Sequence, residues 1–123
     1  MRGGVRLLVV DDQERDLRAL GRTIPIVCPD AEVVGRATSG EQALDIASTT
    51  TFDVAVIDYH MPRMDGIQTA ERLKGISPDC TVVVITAHDE AREKILANPF
   101  VDHYLDKAAV DRVGELLREL VAR

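Results

Sequence analysis

The feature that most constrains this chain is an alternation repeated five times, a short apolar run followed by an amphipathic stretch. Val5 to Val10 is apolar apart from Arg6, the pattern of a strand buried on both faces. Gln13 to about Thr23 has Leu17, Leu20 and Ile24 at helical spacing, and Pro25 and Pro29 mark the loop that follows. Glu32 to Ala37 is a second strand. Ser39 caps a second helix with Gln42 at capping-box spacing, and Ala43, Leu44, Ile46 and Ala47 form its apolar face. Phe52 to Ile57 is a third strand that ends in Asp58. Pro62 to Gly66 is a loop, Asp65 caps a third helix, and Gly75 and Pro78 close it. Thr81 to Ile85 is a fourth strand. Glu90 to Ala97 is a short helix stopped by Asn98-Pro99, and Val101 to Leu105 is a fifth strand. The last helix places Val110, Val113, Leu116, Leu117, Leu120 and Val121 on one face and runs to Arg123. Strands alternating with helices in this way specify an α/β fold, a doubly wound five-stranded parallel sheet with helices on both sides.

Composition narrows the function classes. The 123 residues are one domain's worth, and 46% hydrophobic with 29% charged suits a globular chain. Net charge is −6 and aromatic content only 3%, so no basic face or stacking platform for nucleic acid is expected. Cys28 and Cys80 are read as reduced thiols, and no spacing suggests zinc. The apolar run after Met1-Arg2-Gly3-Gly4 is too short for a signal peptide, and nothing reaches membrane-spanning length. The expected location is cytoplasmic.

Ligands of such sheets sit at the carboxyl ends of the strands. Strand one ends in Asp11-Asp12, strand three in Asp58 and strand four in Thr86-Ala87, while Lys107 follows strand five. Three carboxylates held close repel one another, and a hard divalent cation bound through oxygen relieves that; Mg2+ fits, since it keeps open positions for water and phosphate. One aspartate can then accept a phosphoryl group. The cation and Lys107 would neutralise the transferring oxygens, and the Thr86 hydroxyl and Ala87 N–H would bind another.

These residues carry a resemblance. Leu7-Leu8-Val9-Val10-Asp11-Asp12 resembles the opening of bacterial response-regulator receiver domains. Asp58-Tyr59-His60-Met61-Pro62-Arg63-Met64-Asp65-Gly66 matches their phosphorylation loop, D-x-x-M-P-x-M-D-G. Ile85-Thr86-Ala87 and Tyr104-Leu105-Asp106-Lys107 are similar to their last two motifs. The resemblance covers residues 1–123 as a single receiver domain. It implies a flavodoxin-like (βα)5 sheet of order 2-1-3-4-5. It also implies that Asp58 attacks the phosphohistidine of a sensor histidine kinase or phosphotransfer protein. Asp12, Asp58 and the His60 carbonyl would bind Mg2+ directly, Asp11 through a water. Thr86 and Lys107 would bind the phosphoryl group, Pro62 would fix φ in the loop and Gly66 would free it. Movement of Thr86 would let Tyr104 turn inward and change the face formed by the fourth helix, fifth strand and fifth helix, a surface through which a homodimer could also form.

Two departures qualify the resemblance. Ala108 follows Lys107 where the family usually has proline after a cis bond, so a trans bond and a slightly different Lys107 are expected. Asn98-Pro99-Phe100 shortens the fourth helix. His60 and His88 each lie two residues past Asp58 and Thr86; they read first as solvent-exposed variable residues, the sharper alternative being that they tune phosphoryl lifetime, and a transition-metal site is not expected; His103 has no assigned role. The chain reads as a signalling module that catalyses only its own phosphotransfer and dephosphorylation. An aspartyl-phosphate phosphatase wants a second acid where His60 stands. The remaining alternative is an interaction domain that keeps the fold without phosphorylation. With no output region in view, the chain is either a stand-alone regulator or a receiver cut from a longer protein, and the second is preferred.

Overall fold

A computed structural model describes residues 4–122, the side chains of residues 110 and 111 excepted. Residues Met1 to Gly3, the place of Val110 on the last helix face and the terminal Arg123 lie outside that description.

The elements are β1 (Val5–Val10), α1 (Glu14–Val27), β2 (Ala31–Ala37), α2 (Gly40–Thr49), β3 (Val54–Asp58), α3 (Gly66–Ile76), β4 (Thr81–Thr86), α4 (Arg92–Leu96), β5 (His103–Asp106) and α5 (Val110–Ala122). The strands form one parallel sheet in the order β2-β1-β3-β4-β5. This is the flavodoxin-like arrangement expected.

Period-two alternation divides the core between the two faces of the sheet. Leu8, Val10, Ala55, Ile57, Val82 and Val84 pack with Ala43, Ala47, Ala70, Leu73 and Ile95 from α2, α3 and α4. Leu7, Val9, Val54, Val56, Val83 and Ile85 pack with Leu17, Leu20, Ile24, Val113 and Leu117 from α1 and α5. The central strands are buried on both faces, which is why they read as unbroken apolar runs. Arg6 is tolerated in β1 because its side chain is only partly buried and its Nε donates to the Thr51 carbonyl (3.1 Å).

Several boundaries differ from expectation. The first helix runs to Val27 and contains Pro25. Proline in the last turn forgoes one backbone bond, but Ile24 and Cys28 are almost wholly buried and the Cys28 N–H still reaches the Ile24 carbonyl (2.8 Å). Burial of that turn outweighs the lost bond. Gly75 lies inside α3, one residue before its end, rather than closing it. Ser39 Oγ caps α2 by accepting from the Gln42 N–H (3.0 Å), but Gln42 Oε1 accepts from the Thr38 N–H (2.6 Å), so no capping box closes there. It closes at α3 instead, where Asp65 and Gln68 each accept from the other's backbone N–H. The fourth helix is shorter than its sequence span, with a single 3₁₀ turn (Asp89–Ala91) before its five residues, and β5 starts at His103 rather than Val101.

Candidate functional site

Asp11, Asp12, Asp58, Thr86, Ala87 and Lys107 stand at the carboxyl edge of the sheet, at or just past the end of a strand, whereas Tyr104 lies within β5. The Asp11 N–H donates to the Ala37 carbonyl (3.0 Å), so Asp11 extends the β1–β2 ladder by one residue. Asp58 ends β3 opposite Ile85, and the Tyr59 N–H continues to the Ile85 carbonyl (2.8 Å). Thr86 ends β4 opposite Asp106, and the Lys107 N–H donates to the Thr86 carbonyl (2.9 Å). Neighbouring parallel strands thus deliver an acid, an acid, a hydroxyl and an ammonium to one rim.

Asp11 is fully buried and Asp58 only 5% exposed, with Asp12 half-buried beside them. One carboxylate oxygen from each lies within 4.8 Å of the others. Asp11 Oδ1 accepts from the Gln13 N–H (2.9 Å) at the start of α1. Asp11 Oδ2 is ion-paired with Lys107 Nζ at 2.7 Å but has no well-aligned hydrogen-bond donor among the described residues. Lys107 Nζ is 3.5 Å from Asp58 Oδ1. Burial, chiefly, and the Asp11 and Asp12 charges raise the Asp58 carboxyl to about 6; Lys107 opposes them. Burial alone would lower the Lys107 pKa, but its bonds to Asp11 and Asp16 overcome that and hold it above the usual value. Three carboxylates gathered this closely, with one ammonium beside them, suit another cation. The donors are all oxygen, so a hard divalent ion such as Mg2+ fits them.

The loop after Asp58 corrects one expectation. Gly66 does not have a positive φ; Arg63 does, at 68°. The Met64 N–H donates across it to the Pro62 carbonyl (2.8 Å), making a tight three-residue turn. Gly66 is required for space instead. A Cβ there would lie 2.8 Å from Tyr59 Cα and 2.9 Å from the Asp58 carbonyl oxygen, and the Gly66 N–H donates to the Tyr59 carbonyl (2.9 Å). Absence of a side chain lets α3 start directly against the strand end that carries Asp58.

Thr86 is buried, and its Oγ1 accepts from the His88 N–H (3.2 Å). Ala87 is exposed at the strand end. His60 and His88 come together from separate loops, their rings edge to face with centroids 5.3 Å apart, at the mouth of the site. Tyr104 is half-buried against the α2–α4 side of the core. It borders a surface cleft of about 470 Å³ that Arg92, Asp106 and Arg112 also line. No cis peptide occurs among the described residues, so Lys107–Ala108 is trans as expected. The Ala108 N–H, which a proline would lack, donates to Asp106 Oδ1 (2.8 Å) and holds the turn that carries Lys107.

Sequence reasoning missed Asp16. Its Oδ2 is 2.8 Å from Lys107 Nζ, as close as Asp11. In the sequence it was one of two acids in the first turn of α1, with Glu14, and nothing in the spacing distinguishes the one that faces the lysine.

A family model described as response regulator receiver domain matches residues 7–116. The chain is 33% identical over 121 residues to the response regulator MprA of Mycobacterium tuberculosis and 32% identical to that of Mycolicibacterium vanbaalenii, covering 97% of this chain and 51% of each relative. It therefore spans about half the length of these curated relatives. Among solved structures it is similar to the REC domain of AraT, a response regulator from Geobacillus stearothermophilus (TM-score 0.77, 29% identity, 94% of each chain). It is also similar to the Francisella response regulator 1452 receiver domain (TM-score 0.80, 26% identity, 94% of this chain and 95% of that one). Among the described residues, no helix is long and apolar enough to cross a membrane.

Proposed function

This chain belongs to the response regulator receiver domain family, and we propose that it is a phosphoacceptor switch in which Asp58 receives a phosphoryl group from a phosphohistidine partner. The observation that carries this reading is the buried Asp58, set within 4.8 Å of Asp11 and Asp12 and beside Lys107. An Asp58 carboxylate oxygen attacks phosphorus, the bond to the histidine nitrogen breaks, and the imidazole leaves with the electron pair. Asp11, Asp12, Asp58 and the His60 carbonyl would hold Mg2+, which supplies positive charge to the phosphoryl oxygens when bound. Lys107 supplies a second positive charge from the β5 side, and Thr86 and the Ala87 N–H supply hydrogen bonds from β4. Water later reverses the modification, at a rate that His60 and His88, paired at the mouth, are placed to modulate.

The same residues propose the readout. The Thr86 hydroxyl is bonded to its own loop, accepting from the His88 N–H (3.2 Å) and donating weakly to the His88 carbonyl (3.4 Å). A phosphoryl group on Asp58 offers it stronger acceptors, and its departure from His88 would release the loop before α4 and the space toward Tyr104. The α4–β5–α5 surface, with the cleft beside Tyr104, is the face that would then change for a partner or a second copy. Residues 1–123 act in this reading as one receiver domain, with catalysis confined to its own phosphorylation and dephosphorylation. The test is titration with Mg2+ and beryllofluoride, followed by backbone resonances. Shifts at Thr86, His88 and Tyr104 in the wild type, absent in Asp58→Asn, are expected. Wild-type spectra that do not change would leave an interaction domain without phosphorylation as the better account.

A further inference from the structure

Lys107 carries one ammonium among three carboxylates, and its distances to them are unequal. It lies 2.7 Å from Asp11, 2.8 Å from Asp16 and 3.5 Å from Asp58. The first two are hydrogen-bond distances and the third is not. An ammonium has three donors, and the two short contacts both go to acids other than the phosphoacceptor. On the α1 side the lysine borders a small cavity of about 90 Å³ that Asp16, Ala19, Leu20 and Thr23 also line.

We propose that Asp16 is a positioning residue for Lys107, holding the ammonium toward α1 and off Asp58. This rests on the phosphoacceptor reading above and deepens it. The consequence has two opposite signs. Without the Asp16 charge, the nearest acids left to Lys107 are Asp11 and Asp58, two of the expected cation ligands. An ammonium pressed against them opposes a divalent cation, so Mg2+ binding weakens. Once a phosphoryl group or its mimic sits on Asp58, Asp16 competes with it for the donors of the lysine. Removing Asp16 then strengthens that second step. Asp16 is 39% exposed, so the ion pair is screened by water and each effect is about two- to fivefold.

The experiment measures Mg2+ affinity alone, then beryllofluoride affinity at saturating Mg2+, by calorimetric titration of wild type, Asp16→Asn and Glu14→Gln. Weaker Mg2+ and tighter beryllofluoride binding in Asp16→Asn, with Glu14→Gln close to wild type, is expected. The Mg2+ effect should vanish when Asp16→Asn is made in a Lys107→Met background, because it acts through the lysine. Equal affinities, both affinities weakened, a matching effect from Glu14→Gln, or an effect that survives without Lys107 would each overturn the proposal. A wild type that binds neither Mg2+ nor beryllofluoride would instead remove the phosphoacceptor reading on which it rests.

Discussion

Asp58 is an acid that the folded chain resists ionising. Its carboxyl is raised from 3.8 to about 6, chiefly by burial and then by Asp11. The folded state keeps this proton up to about pH 6, whereas the unfolded chain releases it near 3.8. Between those values the folded chain binds more protons, so its stability falls as pH rises. Thermal unfolding of the metal-free protein between pH 4 and 7 should show this decline, and Asp58→Asn should flatten it. At pH 7 that substitution should stabilise the fold by at most about 3 kcal/mol. The paired imidazoles allow a second prediction at this scale. His60→Ala or His88→Ala should change the half-life of the phosphorylated protein severalfold, and unchanged half-lives in both would exclude a role for them. Asp11, Asp12, Asp58, Thr86 and Lys107 were legible because each sits at the end of a strand whose apolar run announces it. Asp16 was not, because its partner lies ninety-one positions away and only the packed sheet brings Lys107 back over α1.

Helix starts are the elements on which the site depends most. The α3 capping box is closed by two reciprocal bonds of 2.9 and 3.0 Å, and it sets the first turn of α3 beside the end of β3. Asp65→Ala should cost about 1 kcal/mol in denaturant unfolding. Gly66→Ala should cost more, about 1–3 kcal/mol, because backbone rather than a flexible side chain blocks the added Cβ. It should also slow phosphorylation, since the displaced backbone is that of Asp58 and Tyr59. Periodicity and caps made all ten helices and strands legible in order, while their ends were less so. Pro25 looked like a stop, yet burial of Ile24 and Cys28 carries α1 past it. Gly66 looked like a residue chosen for φ, and three-dimensional proximity gives the real reason. Val101 looked like strand, but its N–H turns back to the Asn98 carbonyl (3.2 Å) and the β4–β5 ladder begins two residues later.

At the scale of the whole molecule, one sheet separates two cores and presents its chemistry along a single rim. The strand order was legible only through resemblance, since alternation of strands and helices does not say which strand neighbours which. A cation that binds this rim in the folded state alone stabilises the entire domain. Mg2+ at ten times its dissociation constant should add about 1.4 kcal/mol, raising the midpoint of thermal unfolding by a few degrees. Asp12→Asn should abolish most of that increment. The curated relatives are about twice as long as this chain. The most direct measurement is the intact mass of the protein after incubation with acetyl phosphate. One phosphoryl adduct that requires Mg2+ and is absent from Asp58→Asn is the predicted result. No adduct on the wild type, or an adduct that persists in Asp58→Asn, would contradict the account.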